Sequence, residues 1–139
     1  MGMSMVIAAA RRRYARVSPH EAAALAASDG IIVDTRCADQ RQAHGVIPGS
    51  IHIPLSVFPW RADPWSGHDD PRVSSDGRHL ILLCQDGYSS TLAVATLLDA
   101  GRDRVTDIAG GFEAWRAAGL PVTMGVLGSA SGPERSQRR

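Results

Sequence analysis

The sequence predicts an α/β fold built on a mainly parallel sheet. Three observations predict it. Short apolar runs, Ile31-Ile32-Val33, Leu80-Ile81-Leu82-Leu83 and Val105-Thr106-Asp107-Ile108, are separated by stretches of helical period. Such alternation is the pattern of strand–helix–strand units whose strands run parallel. The length, 139 residues, suits one domain that buries roughly two-thirds of its unfolded surface.

Residues 1–14 read as a flexible N-terminal leader, 15–124 as the domain and 125–139 as a disordered Gly/Ser/Arg-rich tail. Ser18-Pro19-His20-Glu21 starts the first helix, with Ser as N-cap, Pro in the first turn and Glu completing a capping box. That alanine-rich helix should stop near Ser28-Asp29-Gly30, with Gly30 suited to the C-cap. Ile31-Ile32-Val33 is a buried strand ending at Asp34-Thr35-Arg36, and a polar helix from Ala38 to His44 leads to Gly45. Ile51-His52-Ile53 is a further extended element, after the turn Ile47-Pro48-Gly49-Ser50. Phe58 to Gly77, rich in Pro, Asp, Gly and Trp, is a long surface connection. Thr91, Val94, Ala95 and Leu98 form the apolar stripe of the next helix, which Gly101 ends. Gly110-Gly111 is a tight turn into a helix over Phe112 to Ala118, ended by Gly119-Leu120-Pro121. There is no internal repeat.

Composition narrows the chemistry. Net charge is +1, so bulk electrostatics points to neither nucleic acid nor membrane. All fifteen basic residues are arginine, which excludes Schiff-base chemistry and a lysine-bearing P-loop. Cys37 and Cys84 are too few for a disulfide framework. The apolar N-terminal run precedes Arg11-Arg12-Arg13, the reverse of a signal peptide, and no apolar run approaches ~20 residues. A reducing, cytoplasmic setting is the expectation.

The chemistry concentrates at Cys84. The apolar run ends abruptly at this thiol, and Gln85-Asp86-Gly87-Tyr88-Ser89-Ser90 lead into a helix. A helix N-terminus offers unpaired N–H groups and a favourable dipole, both of which stabilise a thiolate. Backbone amides of Gln85 to Ser90 would form an anion-binding loop, and Gly87 allows a backbone turn that a Cβ would obstruct. Ser89 or Ser90 could also cap the helix, and Tyr88 would lie at the mouth. In a parallel sheet ligands bind beyond the carboxyl ends of the strands, where Cys84 and Asp34-Thr35-Arg36 both fall.

Four segments in order resemble the rhodanese-like (sulfurtransferase) family. They are Val33-Asp34-Thr35-Arg36, Gly45-Val46-Ile47-Pro48-Gly49-Ser50-Ile51-His52-Ile53-Pro54, the Cys84 loop, and Gly110-Gly111-Phe112-Glu113-Ala114-Trp115. The resemblance spans about Val17 to Val122. It implies a small parallel sheet flanked by helices on both faces, and a single-domain sulfurtransferase in which Cys84 carries a persulfide. Neither metal nor organic cofactor is implied, and the partners would be a small sulfur donor or a protein persulfide or thiol. A non-catalytic rhodanese-like binding or regulatory module is the rival reading. Oligomeric state is not legible.

The chain also departs from the family pattern. Thiosulfate-using members often carry Arg or Lys just after the cysteine and again five residues after it; here those positions are Gln85 and Ser89. A dianionic donor would depend on backbone amides and on arginines from elsewhere, such as Arg36 or Arg61, so weak thiosulfate turnover is expected. Phosphatase chemistry on a related loop needs a guanidinium that Ser89 and Ser90 cannot supply.

Smaller signals have plainer readings. Asp34 and Arg36 are expected to support the site as a structural ion pair, and Cys37 as an unpaired thiol rather than a redox partner of Cys84. His68-Asp69-Asp70 lacks a second ligand cluster and reads as a solvated acidic loop. His44 is a helix-end cation and His52 a strand residue. Trp60 and Trp65 either cover the site or anchor a loop, whereas Trp115 pairs with Phe112 in the core.

Overall fold

The computed structural model describes residues 2–75 and 77–124, so the tail expected over residues 125–139 lies outside the described residues. Strands β1 (Gly30–Asp34), β2 (Ile51–His52), β3 (His79–Leu83) and β4 (Val105–Asp107) form one parallel sheet in the order β2-β1-β3-β4. Register places Asp34 beside Leu83 and Leu82 beside Asp107, so three strands end together. Strand order reverses between β1 and β3, which makes the crevice beyond their carboxyl ends the switch point where α/β sheets bind ligands.

Alternation along the strands feeds two cores. Ile31, Val33, Leu80, Leu82 and Val105 pack with Phe58, Val73, Ala93, Val94 and Leu97, on the face covered by α4 (Phe58–Arg61), α5 (Pro71–Ser74) and α6 (Ser89–Asp99). Ile32, Ile81 and Leu83 pack with Ala22, Ile47, Ile108, Phe112 and Trp115, under α2 (Pro19–Ala26) and α7 (Gly111–Ala117). Both faces are therefore covered, and β1 and β3 read as continuous apolar runs because neither side meets water. No helix among the described residues is long and apolar enough to cross a membrane.

The capping box forms at α2, with Glu21 N–H donating to Ser18 Oγ and Ser18 N–H to Glu21 Oε1. Several boundaries differ from expectation. Gly30 is the first residue of β1 and not a cap; a Cβ there would lie 2.8 Å from the Leu25 carbonyl oxygen, so close helix–strand packing needs glycine. The buried stripe of α6 is Ser90, Thr91, Ala93, Val94 and Leu97, with Ala95 and Leu98 half-buried at its border. The long connection holds the short helices α4 and α5, anchored by the fully buried Phe58 and Val73.

The segment expected as a loose leader instead contains helix α1 (Met3–Arg11), which packs on α6 through the buried Ile7 and Ala10. Beyond it Val17 bridges to Ile108 in parallel, with Val17 N–H donating to the Asp107 carbonyl and Ala109 N–H to the Val17 carbonyl. The N-terminal segment thus runs along the end of β4. Between β1 and β2 lies α3 (Ala38–His44), closed by Gly45 at φ 92°.

Candidate active site

Cys84 follows β3 directly and is buried, with 4% exposure. Its Sγ accepts N–H groups from Gly87 at 3.1 Å and Ser90 at 3.4 Å. Ser90 is the second residue of α6, whose N-cap, Tyr88, makes no side-chain capping bond. The sulfur therefore does the capping that sequence reasoning assigned to the Ser89 or Ser90 hydroxyl. Gly87 sits at φ 92°, and this turn brings the loop amide back onto the sulfur.

The start of α7 braces the loop from one side. Phe112 N–H donates to the Cys84 carbonyl (2.8 Å) and Glu113 N–H to the Gln85 carbonyl (3.1 Å). Gly111 packs so closely that a Cβ would lie 2.6 Å from the Cys84 carbonyl oxygen and 2.7 Å from Gly87 N. The Gly110-Gly111 pair is thus a docking surface for the cysteine loop as well as a turn. The Gln85 amide donates to Glu113 Oε2 at 2.5 Å, and this bond, with Arg116 nearby, holds the Glu113 carboxyl below its usual range.

Arg36 reaches the loop from β1. Its guanidinium donates to both Asp34 oxygens (3.1 and 2.9 Å), to the Gly45 carbonyl (2.8 Å) and to Gln85 Oε1 (3.0 Å). Both side chains are fully buried, and the guanidinium carbon lies 4.0 Å from the Phe112 ring centroid. Asp34 also accepts the Arg36 backbone N–H at 3.0 Å. This is a buried ion pair, and four of the five guanidinium N–H groups are engaged by protein acceptors.

A cavity of about 540 Å³ opens beside Cys84, lined also by Arg36, Cys37, Leu55, Gln85, Asp86 and Ser89. Tyr88 is outside this lining, exposed, with the Arg11 guanidinium carbon 5.4 Å from its ring centroid. Cys37 is an exposed free thiol at the rim. Arg61, named above as a candidate cation, donates to the His68 carbonyl and does not line the cavity. Trp60 and Trp65 do not line it either, and both are exposed, so neither covers the site. Asp69 accepts the Ser74 hydroxyl and Asp70 pairs with Arg72, so the His68-Asp69-Asp70 fragment is engaged in shaping α5. Among the described residues no three His, Cys, Asp or Glu side chains are grouped to hold a metal.

Behind the loop lies a network that sequence reasoning missed. The Cys84 thiol donates to Ser90 Oγ (3.2 Å), and the Ser90 hydroxyl donates to Asp107 Oδ2 (2.8 Å). Asp107 is fully buried and also accepts from Tyr14, Arg16 and Thr91. Asp107 was readable only as a carboxylate inside an apolar strand, an anomaly that signals a buried partner. Arg16 is its ion pair at 2.9 Å; burial opposes that charge, but the Asp107 carboxylate outweighs it and pushes Arg16 above its ordinary value. Burial, together with the negative Asp107, pushes the Tyr14 hydroxyl up to about 12.

Residues 18–118 match the family described as the rhodanese-like domain, which is most of the chain. The chain belongs to the rhodanese-like domain family. It is 35% identical to the thiosulfate sulfurtransferase GlpE of Pseudomonas entomophila over 75% of this chain and 86% of that protein. A sulfurtransferase of Allochromatium vinosum is 31% identical over 68% of this chain and 78% of its own length. Among solved structures, a Rhodopseudomonas palustris protein of unknown function, described as a possible tyrosine phosphatase, superposes with a TM-score of 0.82 at 32% identity. That match covers 88% of this chain and 95% of the other. In the rhodanese-like chain described here, the loop between Cys84 and Ser90 holds no arginine. The bidentate phosphate clamp of a cysteine phosphatase is therefore missing from it. Tyr14 and Arg16 precede the rhodanese-like match, yet both contact the network behind its cysteine.

Proposed function

We propose that this rhodanese-like chain is a sulfurtransferase that passes a sulfane sulfur through a persulfide on Cys84 to a thiol or cyanide acceptor. The carrying observation is the pair of amides on Cys84 Sγ, from Gly87 and Ser90, beside an open cavity. The Cys84 thiolate attacks the transferable sulfur of the donor, the bond that joins this sulfur to the donor breaks (S–S in thiosulfate or a persulfide, C–S in mercaptopyruvate), and its electron pair leaves with the remainder of the donor. The new terminal sulfur is anionic and is held by loop amides from Gln85 to Ser90, which need no reorganisation as charge moves outward. An acceptor thiolate or cyanide then attacks that terminal sulfur and returns the Cys84 thiolate.

Thiosulfate is a poor donor in this reading. Among the described residues the guanidinium that lines the cavity is that of Arg36, which donates to Asp34, Gly45 and Gln85, and Asp86 adds a negative charge. A persulfide on a small thiol or on a protein fits better, and a reducing, cytoplasmic setting suits a free Cys84.

Thiocyanate formation from cyanide is the test, with thiosulfate, mercaptopyruvate and glutathione persulfide compared as donors. Turnover by wild type with at least one donor, absent in Cys84→Ser, is expected, with thiosulfate the slowest. No turnover with any donor would favour the binding-module reading, in which the thiol is present but unused.

A further inference from the structure

The cysteine loop carries one charged side chain, Asp86, and no cation of its own. Two guanidiniums reach it from outside. Arg11 Nη2 donates to the Gly87 carbonyl at 2.7 Å, and Arg16 Nη2 donates to the same oxygen at 2.9 Å. Both lone pairs of that oxygen are thereby engaged by charged donors. Arg16 is fixed by Asp107 at 2.9 and 3.1 Å, and Arg11 by Thr91 Oγ1 at 3.2 Å. Neither arginine lines the cavity beside Cys84, and both precede residue 18, where the family match begins.

Planarity gives this clamp a consequence. The Gly87 carbonyl and the Tyr88 N–H belong to one trans peptide and point in opposite directions. Holding the carbonyl toward the two guanidiniums directs the Tyr88 N–H away from them. Charged donors on the oxygen also polarise the amide, which raises the partial positive charge at its N–H. The preceding peptide already donates the Gly87 N–H to Cys84 Sγ, so the clamped glycine sits between two amides of the anion-binding loop.

We infer that Arg11 and Arg16 are positioning residues for Cys84: they hold the Gly87–Tyr88 peptide so that the loop amides serve the sulfur anion. The N-terminal segment thereby supplies, from behind the loop, the cation that the loop sequence lacks. The arginines act through the peptide and touch no substrate. The inference deepens the proposed sulfur transfer and rests on Cys84 being the carrier.

The test is the rate of iodoacetamide modification of Cys84 at one neutral pH, read by peptide mapping that separates Cys84 from Cys37. Protection by added sulfite is measured alongside. Arg11 pairs with no carboxylate among the described residues, so Arg11→Gln is the clean variant. It is expected to slow modification about tenfold and to weaken sulfite protection, as loss of one charge-assisted hydrogen bond would do. Arg11→Lys, which keeps a charged donor, should restore most of both. Arg16→Gln combined with Asp107→Asn, which leaves no unpaired buried carboxylate, should repeat the loss. Rates and protection within about twofold of wild type in both variants would overturn the inference, since that is less than half the free energy of one such bond. A wild type that is modified normally but accepts no sulfur would defeat the transfer reading alone, because dependence of alkylation on the arginines is scored separately.

Discussion

Cys84 Sγ is held by backbone amides, and the nearby Arg36 guanidinium donates to Asp34, Gly45 and Gln85. Ser89 lines the cavity, five residues after Cys84, where the family resemblance led to the expectation of a cation. Ser89→Arg should therefore raise kcat/KM for thiosulfate by about tenfold while changing a neutral-headed persulfide donor little, since a guanidinium pairs bidentately with the oxyanion. Equal gains for both donors would contradict the account of donor choice. Gly111→Ala should cost about 1–3 kcal/mol and most of the sulfur loading, because a Cβ would enter the Cys84 carbonyl and the Gly87 amide. Urea unfolding and loading, measured together, check this; a variant with normal loading would contradict it. Arg36→Met should cost about 3 kcal/mol or more, as it strands the buried Asp34 carboxylate with Arg41 as its remaining ion-pair partner. The cysteine loop was legible at this scale because its parts are contiguous: thiol, glycine turn and helix start. The capping role was not, since a sulfur that accepts from Ser90 N–H displaces a hydroxyl from a duty that sequence statistics give to serine.

At the scale of elements, α1 is where the sequence misled. Met3 to Ala10 is apolar on nearly every side and begins without a capping side chain, so no polar face marks its period. Its two buried residues, Ile7 and Ala10, meet α6, a surface visible only once the sheet has formed. The same holds for Arg11, Tyr14 and Arg16, whose partners Gly87, Thr91 and Asp107 lie more than 70 positions away. Helix α2, by contrast, was legible to its capping box, which is written in four consecutive residues. A pH prediction belongs here. The folded state holds Tyr14 protonated up to about 12, against an ordinary value of 10.0. A group raised in this way contributes stability that is complete below pH 10 and lost as pH rises toward 12. Urea midpoints should fall across that window in wild type and fall less in Tyr14→Phe. Parallel slopes in the two proteins would contradict the buried hydrogen bond to Asp107.

Over the whole molecule, alternation of apolar runs with helical stretches led to the right architecture, because parallel strands covered on both faces need that pattern. Strand order was not legible: it depends on β2 returning to the far side of β1, which no local signal encodes. That order places the ends of β1 and β3 at the switch point, and so sets the Asp34–Arg36 pair beside the Cys84 loop. The sheet, α7 and the N-terminal segment converge on one sulfur, and the central claim is that this sulfur carries another. The most direct measurement is the intact mass of the protein after exposure to glutathione persulfide, before and after cyanide. The account predicts that wild type gains the mass of one sulfur atom, that cyanide removes it, and that Cys84→Ser gains none. Equal sulfur on Cys84→Ser, or none on wild type with any sulfane donor, would contradict it.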